Sequence, residues 1–161
     1  MIKINKKEFI DYYKLEKEVF ENLDSNTHIV LATCLNDEPT ARTVSHIILD
    51  NKIYFQTDIN FDKCIQIEGN SNVALCLNNY QIEGTAKILE HPFNENNKRF
   101  LDKFKKVHES SFKEYSSLEN EVVIEIEPIF ITIWKYVDNK PYREYLNITD
   151  KVATREFYLN S

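Results

Sequence analysis

The sequence predicts a mainly β, α+β chain: an antiparallel six-stranded barrel, closed or split, with peripheral helices. Three observations carry the prediction. Strand-like runs over residues 28–35, 40–49 and 52–57 follow one another with turns too short for a crossover helix, and strands joined that way form an antiparallel meander. The turns between runs are built from Asn and Asp, since the chain holds just 2 glycines; those two side chains tolerate φ > 0 better than most. Helical patterning lies outside the meander, and 161 residues at 42% hydrophobic are enough to bury a core.

Taken in order, residues 6–23 read as an opening helix. Phe9, Tyr12, Tyr13, Leu15, Val19, Phe20 and Leu23 recur at steps of three and four, which makes one apolar stripe of the kind that packs on a core. Asp24-Ser25-Asn26 breaks it. Residues 28–35 are apolar enough for a buried strand, Asn36-Asp37-Glu38-Pro39 is a turn by composition, and 40–49 is the return strand. Asp50-Asn51 is a two-residue hairpin signal before the strand 52–57. A short helix over 58–68 follows, with Gly69-Asn70 as its C-terminal cap. Two strands, 72–78 and 81–91, flank an Asn-rich turn.

Residues 94–108 read as an amphipathic helix with Phe100, Leu101 and Phe104 on one side and Lys103, Lys105 and Lys106 on a solvated face. Residues 110–118 are helical or irregular. A long strand spans 122–136, and Pro128 inside it demands a bulge, bend or edge position. Asp138-Asn139 turns the chain into a last strand, 142–148; residues 149–158 are weakly helical. With no repeat and no linker, 1–161 reads as one domain: N-terminal helix 6–23, barrel core 27–137, and a C-terminal strand/helix tail 138–161.

Composition narrows the function. A net charge of −6 without a basic stripe argues against nucleic acid and against an anionic membrane surface. No apolar run approaches the ~20 residues a membrane span needs, and no apolar segment follows the N-terminal lysines. A cytoplasmic protein with reduced thiols is expected. Cys34, Cys64 and Cys76 lie in apolar runs, and His28, His46, His91 and His108 show no ligand spacing; neither a metal site nor a Cys–His nucleophile is expected. Two glycines also exclude the glycine-rich phosphate loops of Rossmann and P-loop proteins.

The chemistry concentrates between residues 41 and 86. Arg42, beside Thr43, Val44 and Ser45 on a strand, offers a planar fork suited to phosphate. Ser45 and Thr57 bring hydroxyls and Gln56 an amide. Lys63 falls in the first turn of a helix, where free N–H groups also favour an anion. These positions are expected to converge on one phosphorylated ligand. His46 is the single acid–base candidate, but alternation sends it and Ser45 to opposite faces.

The runs THIVLATCLNDEPTARTVSHIILDNKIYFQT, DKCIQIEGNSNVALCL and IEGTAKI resemble the pyridoxamine 5'-phosphate oxidase-like, FMN-binding split-barrel family. That resemblance implies a homodimer with FMN at the interface and a flavin-dependent oxidoreductase acting on a small organic substrate. It implies cofactor contacts from Arg42, Thr43, Val44, Ser45, Gln56, Thr57 and Lys63. It also implies an amide from Asn78 or Asn79 reaching the partner's flavin, and Trp134 stacking at the dimer cleft. The alternatives are a non-catalytic flavin, haem or deazaflavin binder of the same fold, or a cofactor-free interaction module. The sequence departs from the family pattern in three places. Asp62 stands where a basic or small residue is usual, Asn60-Phe61 replace a glycine-bearing loop, and Arg143 and Arg155 are isolated rather than part of an arginine-rich C-terminal substrate motif. The chain therefore reads as a relative of that oxidase and not as the oxidase itself.

Overall fold

The computed structural model describes residues 3–159, and their ten strands join in a single antiparallel sheet. The elements are β1 (Lys3–Ile10), α1 (Tyr12–Asp24), β2 (His28–Leu35), β3 (Glu38–Ser45), β4 (Ile47–Leu49), β5 (Lys52–Asp58), α2 (Asp62–Gly69), β6 (Asn72–Leu77), β7 (Tyr80–Ile88), α3 (Lys98–Val107), α4 (Glu109–Tyr115), β8 (Glu121–Val137), β9 (Lys140–Asn147) and β10 (Val152–Leu159). Strand order is β1-β10-β9-β8-β7-β6-β2-β3, with β5 added to β8 and β4 to β5.

Local chemistry sets the hairpins. Asn36-Asp37, Asp50-Asn51 and Asp138-Asn139 all have φ > 0 at both positions. Each pair forms the two-residue connection whose twist matches its flanking strands, so β2–β3, β4–β5 and β8–β9 pair in register from the turn outward. Pro39, read as part of a turn, belongs instead to β3, where an edge strand tolerates its missing N–H. Pro128 sits at a bulge: Gly84 pairs with Pro128 and Glu83 with Phe130, leaving Ile129 over. Gly84 is required there because a Cβ would lie 2.7 Å from the Glu127 carbonyl oxygen.

β8 does double duty. Its first half, to Ile126, lies between β5 and β7; its second half lies between β7 and β9. The sheet therefore curls on itself until β3 and β5 face each other without a ladder between them, which is the split of the barrel. Inside, Ile29, Leu31, Ile53, Phe55, Leu75, Ile82, Ile124, Ile126, Ile131 and Ile133 are fully buried, and α1 closes one end with Leu15, Val19, Phe20 and Leu23. Outside, α3 lays Phe100 and Phe104, stacked at 5.1 Å, over Ile47 and Val123. No described helix is long and apolar enough to cross a membrane.

Several expectations need correction. The sheet has ten strands among the described residues, not six: β1 and β10 flank the rest, the tail strand β9 joins the sheet, and one predicted strand divides into β3 and β4. Residues 6–10 do not open the first helix; they belong to β1, and the expected weak helix over 149–158 is largely β10, its partner. Neither segment has its own hydrophobic period strong enough to choose, so pairing with the other decides. The predicted strand 40–49 breaks at His46 into β3 and β4. The α2 terminus also differs in detail: its C-cap is Asn70 in extended geometry, and neither glycine has positive φ.

Candidate functional site

A cavity of about 380 Å³ occupies the split, within the range of small-molecule sites. β4 follows β5 only as far as Tyr54, so from Phe55 onward the β5 edge is free and faces the outer edge of β3. Arg42, Thr43, Val44 and Ser45 line one side and Phe55, Gln56, Thr57 and Asp58 the other. The first turn of α2 supplies Phe61 and Lys63 at one end. Phe104 of α3, Ser111 and Tyr115 of α4, Leu118 and Glu121 complete the wall. Seven of the sequence-predicted positions, Arg42 to Ser45, Gln56, Thr57 and Lys63, thus share one cavity.

Each polar group has a defined setting. The Arg42 guanidinium donates to Thr33 Oγ1 at 2.7 Å, to Gln66 Oε1 at 3.3 Å and to Thr40 Oγ1. Gln66 Oε1 also accepts from the hydroxyls of Thr33 and Thr40. Neutral acceptors therefore fix the fork, and no carboxylate lies within ion-pair distance of it among the described residues. Burial pulls the Arg42 pKa down, against the attraction of Asp62. Lys63 Nζ donates to Thr57 Oγ1 at 3.0 Å and lies 4.7 Å from the Phe61 ring centre. Its pKa is lowered by burial and by Arg42, while Cys64, Glu121 and Asp58 act the other way. Both cations line the same cavity. Gln56 Oε1 accepts from Ser116 Oγ at 2.7 Å, which docks the end of α4 on β5, and its buried Nε2 has no partner.

Sequence reasoning missed Glu121, the first residue of β8. It lines the cavity at 6% exposure, directly opposite Asp58 in the β5–β8 ladder. Burial, then Asp58, push its carboxyl up to about 7, against Lys63. Nothing local marks it, because its partner strand lies far away in sequence. Ser111 and Tyr115 were equally hidden in a segment with no apolar period.

Other predicted positions lie elsewhere. His46 does not reach the cavity: it is fully buried at the break between β3 and β4, with Nε2 donating to the Leu23 carbonyl at 2.9 Å and Nδ1 unpartnered. This removes it as an acid–base candidate. Asn78, Asn79 and Trp134 line a second cavity, away from Arg42 and Lys63. There Asn79 Nδ2 donates to the Trp134 carbonyl at 2.6 Å, and Trp134 stacks on Tyr158 with the Arg143 guanidinium 4.7 Å from the indole centre.

Comparison with known proteins gives a consistent picture. The sequence profile of the family described as Pyridoxamine 5'-phosphate oxidase matches residues 15–135. Among solved structures, general stress protein 26 from Bacillus anthracis is 25% identical, with a TM-score of 0.63, over 83% of this chain and 98% of that one. A pyridoxamine 5'-phosphate oxidase-related, FMN-binding protein from Nostoc punctiforme shares the fold at 12% identity and a TM-score of 0.60, over 92% of this chain and 95% of that one. The haem storage protein HutZ from Vibrio cholerae shares it at 12% identity and 0.59, over 71% and 89%. No curated protein matches the chain.

Proposed function

This chain belongs to the pyridoxamine 5'-phosphate oxidase family, and from that premise we propose that it binds FMN in the split between β3 and β5 and works as an oxidoreductase on a small organic substrate. The observation that carries the reading is a pair of half-buried cations, neither held in an ion pair. Arg42 and Lys63 border one cavity, neither forms an ion pair among the described residues, and burial holds both pKa values down. Unpaired buried charge is costly unless an opposite charge arrives, and a phosphate monoester is that charge.

The neighbouring groups fit the rest of such a ligand. Ser45 and Thr57 bring hydroxyls, and the unpartnered Gln56 Nε2 is a buried donor waiting for an acceptor. Lys63 and Arg42 hold the phosphate, and Gln56, Thr57 and Ser45 orient the ribityl chain and ring. Phe104 gives the cavity a buried apolar wall, with the exposed Phe61 and Leu118 at its rim. FMN, when bound, supplies the hydride and electron chemistry; the protein supplies position and electrostatics. We assign Asn78, Asn79 and Trp134 to the face that meets the flavin of a second copy in a twofold dimer.

A haem-binding role of the same fold is the competing reading. Of the side-chain types that ligate haem iron, the described cavity offers Tyr115 alone, which favours flavin. The test is a spectrum of freshly purified protein with FMN titration, followed by NADH or NADPH reduction and acceptor-dependent reoxidation. Flavin bands with steady turnover support the proposal. Colourless protein that takes up no FMN overturns it, and a Soret band in its place supports the haem reading.

A further inference from the structure

We propose that Glu121 acts in its protonated, neutral form as a hydrogen-bond donor to the anionic group of the ligand, so that binding takes up a proton at this residue. The proposal rests on the reading of the split as a phosphate site.

The geometry begins with two carboxylates placed opposite each other on adjacent strands, Asp58 on β5 and Glu121 on β8. Like charges at directly opposed positions destabilise a sheet, and two close carboxylates do not both ionise easily. Their surroundings decide which one keeps the proton. Asp58 Oδ1 accepts from the backbone N–H of Asn60 at 2.8 Å and from its side-chain amide at 3.0 Å, two donors that satisfy this oxygen. Glu121 is more than nine-tenths buried, and its carboxyl has no hydrogen-bond partner among the described residues. It borders the cavity instead.

The other groups around Glu121 agree. Lys63, from α2, is the single cation acting on it. Cys64, next on that helix, is buried with its thiol pushed up to about 11 and stays neutral. Tyr115 on α4 is a neutral phenol raised further by its acidic neighbours. On the far flank His91 is engaged with the Leu118 carbonyl at 2.9 Å. Arg42, across the cavity on β3, is attracted by Asp62 but forms no ion pair with it. With Glu121 ionised, Asp58 and Glu121 offset Arg42 and Lys63 along the cavity lining, and a dianion would enter a site with no net positive charge. With Glu121 neutral the lining cations are in excess by one, and its O–H can donate to a phosphate oxygen. The proton comes from solvent, and no covalent bond to the ligand forms or breaks.

The experiment measures FMN affinity by fluorescence, with inorganic pyrophosphate as competitor, from about pH 6.5 to 9, and proton uptake by calorimetry in two buffers of different ionisation heat. A phosphate monoester is already mostly dianionic across that range. Wild-type Kd should rise by close to tenfold per pH unit once Glu121 ionises, with uptake approaching one proton near pH 8. Glu121→Gln keeps an N–H donor and should lose both the slope and the uptake, binding more tightly than wild type at the alkaline end. Asp58→Asn removes the opposing charge and should move the midpoint to lower pH. Parallel pH profiles for wild type and Glu121→Gln, or binding without proton uptake in wild type, overturn the proposal while leaving the phosphate site intact. Failure of wild type to bind either FMN or pyrophosphate overturns the site and this proposal together.

Discussion

Replacing Glu121 by Gln separates the charge of this residue from its shape, and the ligand-free protein already reports the difference. The carboxyl moves from its ordinary 4.5 to about 7 on folding. The folded chain therefore binds more protons than the unfolded one between those values, and the stabilising contribution is complete below the lower value and lost as pH rises through the upper. At 1.36 kcal/mol per unit the full loss is about 3 kcal/mol, of which about 2 kcal/mol falls between about pH 5.5 and 8.5. Water in the cavity screens part of that, so the figure is an upper estimate. Glu121→Gln has no such dependence. Urea denaturation of both proteins at the two pH values should show wild type losing about 2 kcal/mol more than the variant, or about 4–8 °C in Tm. Curves that shift in parallel would mean that Glu121 stays ionised throughout, and that the Asp58 and burial reasoning is wrong.

Three further outcomes are expected. Lys63→Met should fold with stability within about 1 kcal/mol of wild type while FMN affinity by fluorescence titration falls by about ten- to a hundredfold, the worth of one charge-assisted hydrogen bond. Unchanged affinity would remove Lys63 from the site. Gly84→Ala places a methyl 2.7 Å from the Glu127 carbonyl in the β7–β8 bulge, and the urea midpoint should drop by the equivalent of about 1–3 kcal/mol. His46 and His108 are both held below the usual histidine range by burial, so stability should fall as pH drops below about 6.5. An NMR titration giving either imidazole an ordinary midpoint would contradict that.

These consequences depend on different lengths of sequence. The strand alternation of 28–57 and the paired Asn and Asp residues at 36–37, 50–51 and 138–139 are local signals, and each turn fixes its own register. Pro128 announced a bulge, bend or edge position in the same way, because a missing N–H is a property of one residue, and the structure makes it a bulge. Arg42, Ser45, Gln56, Thr57 and Lys63 were legible as phosphate-seeking types near strand ends, and the structure brings them to one cavity. The breaks came where a partner had to be known. β1 and β10 are strands because each is the other's neighbour across nearly the full length of the chain, so the helical spacing of Phe9 from Tyr12 could not draw Phe9 into α1.

What the sequence determined by itself is the antiparallel class, the hairpins and the inventory of anion-seeking side chains, since each rests on contacts between residues close along the chain. What only the tertiary structure decided is which of those groups end up uncompensated. Gln66 and Thr33, rather than an acid, hold Arg42, and the β5–β8 ladder sets Glu121 against Asp58. Charge balance in a buried site is a sum over all its walls, and those walls come from β3, β5, β8 and three helices that no short window of sequence contains.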